Sequence, residues 1–258
     1  MRIDPLVWVE QAASLPTGLA KDSEFGYSVA LSGNGEVAVV GAPNVNSNAG
    51  AAYVYTYDSG TGTWSSPVAL AVPSGADLFG NSVALSVNGG VETALVGAYG
   101  TSGGGAAYIY TNSGGGWSSP VTLSFPTGAI YFGSSVALSD DGNEAIVGAY
   151  GTNNFEGAAY IYTNSGAGWS APVTLTVPSV ASDFGSSVAL SGDGEEAIVG
   201  APNTTNTNSS VGAAYIYTNS GAGWSSTPVT LSVPSGAGGL GWSVALSDNG
   251  GVETALVS

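Results

Sequence analysis

The sequence predicts an all-β fold, a β-propeller of four-stranded antiparallel blades, about five in number. Three observations predict it. A set of short motifs recurs five times at intervals of 52–56 residues. The motifs are β-branched and aromatic runs of strand length, bounded by Gly, Pro, Asn and Ser. No useful length of chain shows helical periodicity, which the 41 Gly and 12 Pro would interrupt.

Each repeat reads as four strands in order. It opens on Phe-Gly, at Phe25-Gly26, Phe79-Gly80, Phe132-Gly133 and Phe184-Gly185, with Leu240-Gly241 as an altered fifth copy. Ser-Val-Ala-Leu-Ser follows as the first strand, at 28–32, 82–86, 135–139, 187–191 and 243–247. Asn34-Gly35, Asn88-Gly89, Asp141-Gly142, Asp193-Gly194 and Asn249-Gly250 then predict type I′ hairpins, whose turn residues need positive φ. A short apolar run makes the second strand. In four copies it ends in Gly-Ala, at Gly41-Ala42, Gly97-Ala98, Gly148-Ala149 and Gly200-Ala201. After a variable loop, Gly-Ala-Ala-Tyr-(Val/Ile)-Tyr-Thr supplies the third strand from Gly50, Gly105, Gly157 and Gly212. A Trp segment makes the fourth, at 64–73, 117–126, 169–178 and 224–234. A four-stranded unit of ~50 residues suits a propeller blade, whereas an open solenoid of such sheets would expose long edges.

The two ends complete the plan. Trp8 through Leu15-Pro16 matches Trp224 through Val233-Pro234, so residues 6–16 read as a fourth strand without its first three. The last repeat supplies strands one and two, and the two ends together form a composite blade. The expected organisation is one domain, 1–258. It divides into a closing strand and linker (1–24), complete repeats (25–78, 79–131, 132–183 and 184–239) and a partial repeat (240–258). The composite blade lacks a third strand. It is a three-stranded blade helped by residues 1–7, a piece of a longer repeat chain, or a blade completed by a neighbour's strand.

Composition excludes several functions. Eighteen acids face two bases, Arg2 and Lys21, for a net charge of −16, although only 8% of residues are charged. Nucleic-acid binding needs Lys and Arg against phosphate. Without Cys or His there is no disulfide, no thiol nucleophile and no His base. No apolar run reaches the ~18–20 residues of a membrane span, so no membrane insertion is expected. The start, Met1-Arg2-Ile3-Asp4-Pro5, carries no apolar leader segment.

The linked motifs resemble FG-GAP repeats, which form the propeller of integrin α-subunits and occur in bacterial surface proteins. Phe25-Gly26 through Gly41-Ala42-Pro43 and Phe184-Gly185 through Gly200-Ala201-Pro202 carry the resemblance most fully, and related motifs extend over nearly the whole chain. Two repeats depart from it, with Tyr99 and Tyr150 in place of Pro. The resemblance implies a non-catalytic, extracellular or particle-surface adhesion propeller with a protein or carbohydrate ligand. In integrin-like propellers the loops between strands two and three lie on the ligand side, opposite the turns between strands one and two.

Candidate site residues follow. The variable loops offer Asn44, Asn46, Tyr99, Tyr150, Asn153, Phe155, Asn203 and Asn206, and Trp242 and Tyr131 also fall outside the repeating pattern. Many members of the resembling family bind Ca²⁺ in the first turn. Here Asp140, Asp141, Glu144 and Asp193 are the candidates, but calcium is not expected, since a short turn wraps an ion poorly. No other cofactor is expected. The recurring Tyr pairs and Trp read as packing between blades. Two alternatives to adhesion stand. One is a self-assembling structural module joined through the incomplete blade. The other is a carboxylate-dependent glycosidase, which would need an acid cluster that breaks the repeat. Asn203-Thr204-Thr205 and Asn208-Ser209-Ser210 also match glycosylation sequons.

Overall fold

The computed structural model describes residues 13–178, 181–206, 209–231, 238–248 and 253–258. The Trp8 segment, Val233-Pro234, Asn208 and the Asn249-Gly250 turn lie outside the described residues.

Four antiparallel sheets follow the chain as meanders. Blade 1 orders Val29–Leu31, Val37–Ala42, Ala51–Asp58 and the short outer strands Thr63–Trp64 and Val68–Ala69. Blade 2 orders Ser82–Asn88, Val91–Ala98, Ala106–Asn112 and Val121–Thr122. Blade 3 orders Ser135–Leu138, Glu144–Gly148, Ala159–Thr163 and Val173–Thr174. Blade 4 orders Ser187–Leu190, Glu196–Ala201, Ala213–Thr218 and Val229–Leu231. Blade 5 shows Val244–Asp248 paired with Glu253–Val257. The fold is a β-propeller of about five blades.

The core lies between blades. Each blade turns its Phe and Tyr side chains towards the preceding one. Val39, Val54 and Leu70 of blade 1 meet Phe79, Val96, Tyr108 and Tyr110 of blade 2. Ile146, Ile161 and Leu175 of blade 3 meet Phe184, Val199, Tyr215 and Tyr217 of blade 4. The motif Phe packs on the Tyr pair of its own blade, with ring centroids 5.8 and 6.3 Å apart for Phe132 against Tyr160 and Tyr162.

The remaining motif residues have one shared task. The motif Gly after Phe takes φ near +90°, as at Gly80 and Gly185, and pushes its carbonyl against the preceding blade. There it accepts a hydrogen bond from the first-strand Ser: Ser28 Oγ to Gly80 O at 2.7 Å, and Ser82 to Gly133, Ser135 to Gly185 and Ser187 to Gly241 at 2.8 Å. The same carbonyl lies so close to the Gly of Gly-Ala that a Cβ on Gly41, Gly97, Gly148 or Gly200 would overlap it. Phe-Gly, Ser and Gly-Ala are thus three parts of one joint between blades.

Tyr hydroxyls make a second joint. Tyr110, Tyr162 and Tyr217 donate to Ala71 O, Ser124 O and Thr176 O, each two residues before a Pro in the preceding blade's outer segment. Tyr55 donates to Ser14 O at 3.1 Å, and Ser14 is likewise two residues before Pro16. The described Ser14 thus meets blade 1 as the outer segments of blades 1, 2 and 3 meet the blades that follow them.

The hairpins depart from expectation. Type I′ geometry occurs in blade 2, but one residue later than expected, at Gly89-Gly90 with φ of 58° and 80°. At Asn34-Gly35, Asp141-Gly142 and Asp193-Gly194 only the Gly has positive φ. The reason is the polar side chain. Asp141 Oδ1 accepts from Ser139 Oγ at 2.6 Å and from the Asn143 N–H at 2.9 Å. Asp193 and Asn34 repeat the pattern with Ser191 and Ser32. An Asx side chain that folds onto its own turn stabilises a wider loop instead of the two-residue form. One short helical turn, Thr152–Phe155, also occurs, with Asn153, Asn154 and Phe155 at left-handed φ.

Candidate functional site

Beside the joints, three positions change identity around the ring. One precedes Phe-Gly: Glu24, Leu78, Tyr131, Asp183 and Gly239. All five have positive φ, from 52° to 82°, which turns the side chain out of the strand path. The second follows Phe-Gly: Tyr27, Asn81, Ser134, Ser186 and Trp242. The third follows Gly-Ala: Pro43, Tyr99, Tyr150 and Pro202.

These positions converge. A cavity of about 300 Å³ is lined by Tyr27, Asn81, Ser134, Ser186 and Trp242, one from each blade, together with Tyr99, Tyr150 and Asp183. It lies on the propeller axis at the mouth opposite the hairpin turns. Tyr131 stacks on Tyr150 with centroids 5.0 Å apart, and Tyr99 meets Tyr131 edge-on at 5.8 Å. Phe155 adds to the cluster, 6.3 Å from both Tyr131 and Tyr150. Burial raises the Tyr150 phenol above its ordinary pKa, helped by Tyr99, Tyr131, Asp183 and Tyr27 nearby. Tyr99 is raised in the same way, by burial first and then by Tyr27 and Tyr131. Both phenols stay protonated donors at neutral pH.

The loops are held firmly. The loop after each second strand docks on the next blade's Phe-Gly, through Leu78 N–H to Asn48 O, Phe132 N–H to Gly104 O and Asp183 N–H to Phe155 O. Thr101, Thr152 and Thr204 accept from Asp77, Ile130 and Ser182 N–H groups across the same junctions. A rigid frame thus presents the divergent side chains.

The other expected residues are scattered. Asn44 borders a side pocket with Glu24, Pro43 and Leu78. Asn46 and Asn153 are exposed at left-handed loop positions. Asn203 donates to Asp183, and Asn206 belongs to a small hairpin paired with Ser209–Ser210. Tyr27, Asn81 and Asp183 are pocket residues that loop variability did not single out. Their signal was variation inside a motif, beside Phe-Gly.

Asp141 and Asp193 of the turn side accept from a Ser hydroxyl and a backbone N–H of their own turns. The Ser139 hydroxyl and Asn143 N–H hold Asp141 below the ordinary carboxylate value against the opposing effect of burial. Ser191 and the Glu195 N–H lower Asp193. Glu144 is raised by burial and by the Asp141 charge. Asp140 ties three blades, accepting from Ser86 Oγ at its carbonyl and donating its N–H to Gly192 O. Among the described residues, Asp193, Glu196 and Glu253 bring carboxylate oxygens within 4.8 Å of one another. The four calcium candidates of the sequence do not form that group: only Asp193 belongs to it.

Comparison with known proteins fits this architecture. The family model described as FG-GAP repeat matches residues 8–55, 128–162 and 178–217. The chain carries FG-GAP repeats. Among solved structures, this FG-GAP propeller is similar to hydrazine synthase from Kuenenia stuttgartiensis (TM-score 0.52, 14% identity, 87% of this chain and 54% of that one). It is also similar to a putative TolB from Agrobacterium tumefaciens (TM-score 0.50, 15% identity, 78% of this chain and 61% of that one). At such identities the likeness shows the fold alone, and the chain spans little more than half the length of either structure. No curated protein sequence matches. Among the described residues, no helix is long and apolar enough to cross a membrane.

Proposed function

We propose that this FG-GAP propeller is a non-catalytic binding module of the extracellular or particle surface, which holds its ligand at the loop-side mouth. One observation carries the reading. Eight of the positions that vary beside Phe-Gly and after Gly-Ala line a single axial cavity, with at least one residue from every blade. A repeating scaffold that gathers divergent side chains at one end is suited to recognition.

The test is an array of glycans and extracellular-matrix proteins, probed with and without Ca²⁺. The chain is expected to hold a subset of probes. The triple variant Tyr99→Ala, Tyr150→Ala and Trp242→Ala is expected to lose them, and Asp141→Asn to keep them. Equal retention by the triple variant, or no retained probe at all, overturns the reading.

A second reading, assembly with copies of itself, has one observation in its favour. Among the described residues, Val29 and Leu31 of blade 1 and Leu256 of blade 5 are 69%, 59% and 73% exposed, whereas their counterparts Val188, Leu190 and Ile198 in blade 4 are buried. Light scattering tests it; a monomer at every concentration overturns it.

A further inference from the structure

A groove of about 410 Å³ adjoins the axial cavity between blades 2 and 3. Its floor is backbone: Gly100, Gly103, Gly104 and Gly105 on one side, Gly128 and Ala129 on the other. Close approach requires this at Gly104, whose φ is 127° and whose Cβ would collide with Ala129 O. Tyr99 and Tyr131 wall the groove, and half-exposed Ile130 lines it. Tyr99 also lines the axial cavity, so the two spaces share a wall. The corresponding loop of blade 3 carries Asn153, Asn154 and Phe155 instead of a run of Gly.

We propose that the ligand is a neutral oligosaccharide bound across both spaces, one sugar unit in the axial cavity and the following units along the glycine-floored groove. This rests on the binding role argued above.

The chemistry of the lining selects the class. Neither space has a Lys or Arg, and Asp183 is the single charged side chain of the two linings. Phosphate, sulfate and uronate groups would meet no cation and an acidic chain. An aliphatic chain would desolvate the Tyr, Ser and Asp polar groups without replacing their hydrogen bonds. A sugar offers an apolar C–H face for the aromatic ridge Tyr99–Tyr131–Tyr150 and hydroxyls for phenols, carboxylate and exposed backbone. A quaternary ammonium would need aromatic faces gathered around one point. Here Tyr131 stacks on Tyr150 and meets Tyr99 edge-on, so the rings form a ridge instead of a cage. Trp242 completes the cavity. Its Nε1 lies over Gly239, where a Cβ would come within 2.8 Å, and the side-chain-free position leaves the indole 64% exposed.

Calorimetric titration of the whole chain tests the proposal. The probes are glucose-based and N-acetylglucosamine-based oligomers of one to six units, a heparin hexasaccharide and choline. At least one neutral series is expected to bind, with affinity rising about tenfold or more from one unit to three and then levelling off. Ile130→Arg, which fills the groove from an exposed position, is expected to abolish the rise with length. Trp242→Ala is expected to weaken all lengths by a similar factor. Unchanged melting temperatures identify both variants as folded, and Ile130→Gln, longer than Ile and uncharged, replaces any Ile130→Arg protein that melts early. Two outcomes overturn the proposal. In one, heparin, choline or an array protein binds and neutral sugars do not, which leaves the loop-side binding role standing. In the other, sugars bind without length dependence, or Ile130→Arg weakens one unit and three units equally. Silence of these probes and of the array together removes both readings.

Discussion

The propeller has two mouths, made by the same repeat and used in opposite ways. At the turn side, Ser32, Ser139 and Ser191 each hold an Asn or Asp two residues on, and that side chain closes its own turn. In these three blades the polar groups have a local task and recur, whereas Ser86 of blade 2 donates to Asp140 O of the next blade. At the loop side, the positions beside Phe-Gly and after Gly-Ala carry Tyr, Trp, Asn, Ser, Asp, Glu, Leu or Pro without a period. Most of them stand outside the repeated joints, although Asn81 donates to Gly133 O and Ser134 O of blade 3, and eight of them gather on the axis. In a repeat protein, a side chain with a structural task is copied. One without such a task diverges, and where several of these meet is the place to look for recognition.

The largest effect is expected where both mouths depend on one joint. Gly148→Ala places a methyl group on the Gly185 carbonyl. Blades 3 and 4 must separate, at a cost of about 3 kcal/mol or more, read as a lower denaturant midpoint. An unchanged midpoint would falsify the joint as described.

Next comes a change confined to the turn side. Ser139→Ala leaves the Glu144 N–H without the hydroxyl it meets at 3.0 Å and frees Asp141. The expected loss is ~1–2 kcal/mol, with no change in ligand binding. A variant that lost binding at full stability would place function at the wrong mouth.

The pH dependence separates the mouths further. Asp141 and Asp193 have lowered folded-state pKa values, so their stabilisation is present above about pH 4 and is lost as pH falls through those values. Glu144 is raised and acts with the opposite sign: it favours the folded state when protonated and opposes it as pH rises through its folded value. Asp141→Asn, which copies Asn34 of blade 1, should flatten the acid limb of a melting-temperature profile. An identical limb in the variant would show that the turn carboxylate contributes nothing.

The smallest stability effect is expected at the loop mouth. Tyr27 is 62% exposed, and Tyr27→Ala should shift stability by no more than about 0.5 kcal/mol. It should nonetheless weaken any ligand held in the axial cavity. A large drop in melting temperature would make Tyr27 a packing residue.

Much of the fold was legible in the chain, because strand order and length are local properties. The Gly-Ala-Ala-Tyr strands, the Phe-Gly openings and the Trp segments mark each blade without knowledge of its neighbours. The turns were misread because Asn-Gly and Asp-Gly favour the two-residue form only when the Asx side chain is free. Here a Ser two residues earlier donates to it. Of the site, Tyr99, Tyr150, Phe155 and Trp242 stood out by breaking the pattern. Tyr27 and Asp183 did not, since each sits against a motif strong enough to hide one variable position.

By itself the sequence determined the unit: a four-stranded meander, its repetition, the near absence of cations and the residues that break the period. Tertiary structure alone decided which of those residues meet. Tyr27 and Trp242 lie near opposite ends of the chain yet line one cavity. The physical reason is that local patterns set each sheet, while the approach of neighbouring blades is set by the joints between them. The Phe-Gly carbonyl, the first-strand Ser and the Gly of Gly-Ala fix that approach, and repeating it from blade to blade bends the row of sheets around an axis.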